Sequence, residues 1–228
     1  MNASPRAHAV LLLLAALATG CATGSAGTGL ADSAPEGLRP VPVERGVTAW
    51  VRPGAELGAY HQVLVAPPTV SLRDGWLRDH NRVSVHRVTQ RDAERIEEGV
   101  ADSYLKIFPR ELSGEGGFEV VTEPRAGALE LRASIVDLDV TAPDVPTASR
   151  SRTFASTTGE ATLVLDLHDA ATGTLLARVV ERVEARQPVQ DLRWTNRATN
   201  RAELDRALTR WARGLYGRLQ ELDEKSAQ

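Results

Sequence analysis

A single cysteine, Cys21, stands in a chain of 228 residues. An internal disulfide and a multi-cysteine zinc site are therefore excluded. Lysine is scarce too. Only Lys106 and Lys225 accompany 25 arginines (27 basic residues less two), a bias that reads as genome composition rather than function. Aromatic residues make up 4% of the chain, and 30 acidic residues outnumber the 27 basic ones for a formal net charge of -3. That balance lacks the basic excess of a nucleic-acid-binding protein. No apolar run reaches the ~20 residues that span a bilayer. What is present is 42% apolar and 25% charged residues. Those are globular proportions, enough for one domain with a tail or two small domains.

Residues 1–20 have the order of a secretory signal peptide. Arg6 supplies a positive charge, Ala7 to Leu17 an apolar run, and Ala18-Thr19-Gly20 the small residues of a cleavage site. Ala18-Thr19-Gly20-Cys21 resembles the lipobox of bacterial lipoproteins, in which small residues precede an obligatory cysteine. Leucine usually stands three before that cysteine; here Ala18 does, with Leu17 one further back. The resemblance implies cleavage before Cys21, a diacylglycerol on its sulfur and an acyl chain such as palmitate on the new N-terminus. Two or more chains make attachment stable. A membrane, reached through the lipid on Cys21, is the implied partner, and the bacterial cell envelope the implied location. Ala22, in place of Asp, implies the outer membrane, facing the periplasm. After cleavage 26 basic residues (27 less Arg6) meet 30 acidic ones, a net charge of -4 that leaves no polybasic adhesion patch.

Residues 21–45 hold the cysteine and a flexible linker rich in Gly, Ala, Ser, Thr and Pro. A folded domain is expected over 46–222, with a polar tail at 223–228. His61 to Pro68 reads as a buried strand ended by two prolines, and Val83, Val85 and Val88 as a second strand. Thr89 is a helix cap with Asp92 in the first turn. Ala93, Ile96, Val100, Tyr104, Ile107 and Phe108 then form one apolar helical face, closed by Pro109 and Gly114. Leu129, Leu131, Ala133 and Ile135 alternate with polar residues. The parity shifts to Val136, Leu138 and Val140, which asks for a bulge near Ile135-Val136. Ala161, Leu163, Leu165 and Leu167, a turn at 169–173, then Leu175, Ala177, Val179 and Val183 spell an antiparallel hairpin whose parity Glu181 breaks. Leu204, Leu208, Trp211, Leu215 and Leu219 mark a last helix over about 201–222. The expected fold is α+β: a two-layer domain with a mostly antiparallel sheet of four to five strands and two flanking helices.

Three stretches, taken in order, resemble DUF3313, a family of bacterial lipoproteins of unknown function. They are Tyr60-His61-Gln62-Val63-Leu64-Val65-Ala66-Pro67-Pro68, then Gly159-Glu160-Ala161 through Asp169-Ala170-Ala171-Thr172-Gly173-Thr174-Leu175-Leu176-Ala177, then Trp194 with Trp211-Ala212. The resemblance covers roughly residues 50–222. It implies an envelope lipoprotein and carries over no activity and no catalytic residue.

Motifs for chemistry are sparse. His61, His80 and His86, with Asp74 and Asp79, lack metal-ligand spacing and read as solvated loop residues, so no metal site is expected. His168-Asp169 reads as a turn. Asp137, Asp139, Glu160, Asp166 and Glu184 read as water-facing strand residues rather than paired hydrolytic acids. Gly-x-Ser-x-Gly and the glycine-rich phosphate loops are missing, so neither a cofactor nor an enzymatic activity is expected. The remaining signal is basic. Arg178, Arg182 and Arg186 share one strand face, and Arg150 and Arg152 lie in the loop at 141–156 before it. Together they are a candidate surface for anionic lipid headgroups, lipopolysaccharide or an acidic partner, partly cancelled by Glu184. Trp211 reads as core, while Trp76 and Trp194 read as packing residues or exposed anchors. The expected function is a non-enzymatic binding or assembly module in the periplasm with an envelope protein partner. The alternatives are an accessory binder of an anionic lipid or glycan in envelope transport and, behind both, an envelope hydrolase.

Overall fold

The computed structural model describes residues 34–83, 87–114, 116–140, 153–155, 157–186, 193–195 and 197–226. The fold is mixed α+β. Its main sheet has eight strands: β1 (Arg39–Val41), β2 (Val47–Val51), β3 (Gln62–Val65), β4 (Thr69–Leu72), β5 (Glu119–Val121), β6 (Ala128–Val140), β8 (Thr157–Asp169) and β9 (Leu175–Arg186). They run in the order β1-β2-β9-β8-β6-β3-β5, and β4 pairs β6 beyond the end of β3. A separate ladder joins β7 (Thr153–Ala155) to β10 (Arg193–Thr195).

The expectation of four to five strands is thereby corrected to eight, and the sheet is antiparallel in four of its seven pairings. From β1 to β6 through β2, β9 and β8 all pairs are antiparallel, but β3 and β4 run parallel to β6, and β5 runs parallel to β3. β5 falls in Phe118-Glu119-Val120-Val121, which reads as a short strand. The strands that the sequence did not declare, β1, β2 and β4, are three to five residues long. That is too short for an alternating pattern to stand out. β1 lies inside the stretch read as linker, and Leu38 just before it is buried against Trp50, Val164 and Val180 on one face of the sheet.

The bulge in β6 is real and sits slightly later than expected. The register with β8 slips between Val136 and Asp139, and Asp137 takes φ 53°, the left-handed conformation that Asp tolerates better than most residues. Ile135 and Leu138 therefore both join the core facing the helices.

Three α-helices, not two, are described: α1 (Trp76–Val83), α2 (Gln90–Leu112) and α3 (Arg197–Ser226). The first occupies residues that were not read as helical, and Val83, expected in a strand, is its last residue. At the start of α2 the Thr89 hydroxyl accepts from the Asp92 N–H, and the Asp92 carboxylate accepts from the Thr89 N–H, at 3.3 and 2.8 Å. This reciprocal cap satisfies two donors that the helix leaves open. Pro109 does not close α2, which runs on to Leu112. A proline removes one helical N–H, here the one aimed at the Leu105 carbonyl, and Leu105 lies on the solvent side. The turn after α2 requires Gly117, since a Cβ there would collide with the Leu112 carbonyl oxygen.

α2 and α3 pack on one face of the sheet. Tyr104, Phe108, Leu112 and Leu208 from the helices meet Val63, Leu129, Leu131, Ile135, Leu165 and Leu167 from the strands, and all are buried. Side chains of this size contribute about 1.5–3 kcal/mol each on full burial. Glu181 lies on this same face of β9, opposite Leu163 of β8 and Val47 of β2. Burial pushes its carboxyl above the usual range, while the Arg218 and Arg210 charges and the Trp211 indole on α3 pull the other way.

Two measurements test this packing. Thr89→Ala should cost about 1 kcal/mol of stability in urea unfolding, the usual worth of a cap. Glu181→Gln should stabilise the fold at neutral pH. The folded chain holds the Glu181 proton more tightly than the unfolded chain does. Stability from this site is thus full below the ordinary Glu value and is lost as pH rises through the raised folded value. The gain from Glu181→Gln should therefore vanish below about pH 4, and an equal gain at every pH would contradict this assignment.

Candidate functional site

The arginines singled out in the sequence come first. Arg178 and Arg182 lie on the sheet face turned away from α2 and α3, and each meets a carboxylate. Arg178 grips Asp166 of β8 with two bonds, Nε to Oδ1 and Nη2 to Oδ2, both 2.6 Å. Their side chains are only 12% and 20% exposed, so the pair is shielded from water. Asp166 raises the guanidinium pKa further, against the opposing effect of burial. Arg182 reaches Glu160 at 3.2 Å in a more open setting. Glu130 and Arg132 of β6 add a third pair at 2.8 Å. The first two pairs cross from β9 to β8 and favour strand pairing, the third lies along β6, and together they leave little positive excess. Arg186 ends β9. Arg150, Arg152 and Cys21 lie outside the described residues.

The acids are likewise engaged. Asp169 accepts from Tyr60 Oη at 2.8 Å and from the Ala171 and Thr172 N–H groups, which close the hairpin turn. Its carboxyl is held below the usual range by these bonds, Tyr60 first, and the Tyr60 hydroxyl is pushed up to about 12, burial being the larger cause. His168 Nδ1 sits 3.0 Å from the Gly173 carbonyl at the same turn. Asp137 forms the bulge, and Asp139 pairs with Arg73. Among the described residues no group of three or more His, Cys, Asp or Glu is placed to hold a metal ion.

A different region brings cationic and apolar groups together. After β4 the chain turns at Asp74-Gly75 into α1, which lies between the end of β6 and the start of α2. Trp76, read as a packing residue or an exposed anchor, is a packing residue: it is 2% exposed and donates its indole N–H to the Val140 carbonyl at 3.1 Å. The His80 ring stacks on it, centroids 5.3 Å apart, and burial lowers the His80 pKa while Asp139 opposes the shift. At the other end of α1 the Asn81 amide accepts from the Val88 N–H and donates to the Val88 carbonyl, at 2.7 and 2.8 Å. Arg73 bridges Asp139 and Asp79 at 2.9 and 3.2 Å, and Asp79 also meets Arg78. The Leu72 N–H donates to Glu97 Oε1 of α2 at 3.0 Å. These bonds tie α1 to the end of β6 and to Val88 ahead of α2, and tie β4 to α2.

The result is an open groove of about 680 Å³. Leu72, Trp76, Leu77 and Ala93 give it an apolar floor. Arg73, Arg78, Arg82 and Arg87 line it with four positive charges against the two of Asp74 and Glu97. The sequence reading missed it because α1 is short. The visible signal was the spacing of Arg78 and Arg82, four apart behind an Asp-Gly turn, which places both on one side of a helix.

The chain is similar to several solved structures at low identity. A Xanthomonas campestris protein matching the DUF330 family model is 16% identical over 74% of this chain and 89% of its own, with a TM-score of 0.44. A PelC dodecamer from Paraburkholderia phytofirmans is 12% identical over 72% and 95%, with a TM-score of 0.28. A candidate neuraminyllactose-binding hemagglutinin homolog from Helicobacter pylori is 9% identical over 73% and 89%, with a TM-score of 0.40. No curated protein matches. The model of the DUF3313 family, described as a protein of unknown function, matches residues 29–215, which include the whole main sheet, α1, α2 and most of α3. The chain belongs to the DUF3313 family.

Proposed function

We propose that this protein is a lipid-anchored lipoprotein of the bacterial cell envelope whose folded domain is a non-enzymatic binding or assembly module facing the periplasm. The observation that carries the reading is the position of Cys21. The one cysteine of the chain follows an apolar run and three small residues, where lipid attachment requires it. Leu38, which is buried, lies 17 residues after Cys21 (38 less 21), so the two stand at most roughly 60 Å apart along an extended chain. That reach suits a domain working near the surface that holds it. Among the described residues no helix is long and apolar enough to cross a membrane, so in this reading attachment falls to the lipid.

A second reading, an accessory binder of an anionic lipid or glycan, is favoured by the arginine-lined groove beside α1. An envelope protein partner remains the first reading's occupant for the domain surface.

Cys21→Ser tests the anchor. The wild-type chain should sediment with membranes, and the variant should move to the soluble periplasmic fraction. A variant that stays with the membrane would remove the anchor from this account.

A further inference from the structure

We infer that the groove between α1 and the start of α2 binds an amphiphilic anion: one phosphate or carboxylate carried on an apolar body. The inference rests on the binding-module reading above and gives that module a ligand class.

Charge gives the sign of the ligand. Of the four arginines around the groove, Arg73 and Arg78 are committed to Asp79 and Asp139. Among the described residues Arg82 and Arg87 have no carboxylate partner, and both are exposed. Two guanidinium groups with free donors at one cavity are suited to oxyanions, which accept paired hydrogen bonds from them. Two acids line the groove, Asp74 and Glu97, and neither pairs with Arg82 or Arg87 among the described residues. Glu97 holds the Leu72 N–H, and Asp79 holds Arg73 and Arg78.

The floor gives the rest of the ligand. Leu72 and Leu77 are half-buried and line the cavity, over buried Trp76 and Ala93. A bare inorganic anion would leave that surface unused. The volume of about 680 Å³ falls within the range of small-molecule sites, about 300–1,000 Å³. The site is also preformed. The Trp76 bond to Val140, the Asn81 clamp on Val88 and the Arg73 bridge hold α1 before any ligand arrives. Little ordering cost then remains for binding.

The test is calorimetric titration of the full chain carrying Cys21→Ser, so that no attached lipid interferes. Decyl phosphate, kept below its micelle concentration, is the probe. Inorganic phosphate, decyl maltoside and vesicles of phosphatidylglycerol are the comparisons. Decyl phosphate should bind at one site and more tightly than inorganic phosphate or decyl maltoside. The double variant Arg82→Gln, Arg87→Gln should weaken it by about tenfold or more, as loss of charge-assisted bonds requires. Both positions are exposed, so the variant's thermal unfolding should match the parent's. Equal binding of inorganic phosphate would mean a simple anion site, and equal binding of decyl maltoside mere apolar adsorption. Binding to vesicles alone, or binding indifferent to the double variant, would place the interaction elsewhere. Each of these results, or no binding at all, overturns the inference. Membrane release of Cys21→Ser is read separately, so the groove and the anchor stand or fall apart.

Discussion

Strand β6 pairs along its length on both edges. On one side β8 runs antiparallel to it from Leu129 to Val140. On the other, β3 takes the first part, Ala128 to Leu131, and β4 the later part, Ser134 to Leu138. One thirteen-residue strand thus collects three neighbours and presents Leu129, Leu131, Ile135 and Leu138 to the helices. Burial of that row under α2 and α3 is the constraint on which the remaining elements depend. Without it the parallel strands β3 and β4 have no common edge to join, and parallel pairing is the kind that needs cover.

The same strand sets up the groove. Its bulge at Asp137 keeps Leu138 in the core, and beyond it Asp139 meets Arg73 at the end of β4 while the Val140 carbonyl meets the Trp76 indole. Both ties come from the last two residues of β6, and both hold the turn into α1. A local irregularity in the sheet thereby becomes the fixed wall of a site on a connecting segment, where binding groups most often sit.

Much of this was legible in the residues. The α2 stripe from Ala93 to Phe108, the Thr89 cap, the 160–183 hairpin and the α3 stripe all follow long periodic signals that single side chains cannot blur. The need for a bulge was legible too, because a parity change within one apolar run has few other causes. The short strands β1, β2 and β4 were not, since three to five residues carry little period. α1 was hidden by its eight residues and by a polar sequence that carries one large apolar anchor, Trp76, with Asn81 held by hydrogen bonds. The charges misled for a related reason. Arg178 and Arg182 read as one basic face along β9, but the facing strand supplies Asp166 and Glu160, and pairing across strands is invisible to a reading along one. The groove's arginines come from a turn, a helix and the entry to the next helix, and only the fold gathers them.

The position of β1 has a mechanical side. It is the outermost strand, three residues long, and lies antiparallel against β2 directly after the segment that leads back to Cys21. Tension applied through that segment meets Leu38 and the three-residue ladder of β1 before it meets anything else. Such a ladder can peel residue by residue and lengthen the strap, while β2 stays locked to β9 by five paired residues. Under the anchoring proposed above, a pull from Cys21 would be taken up by this short edge strand before it reached the groove or the core.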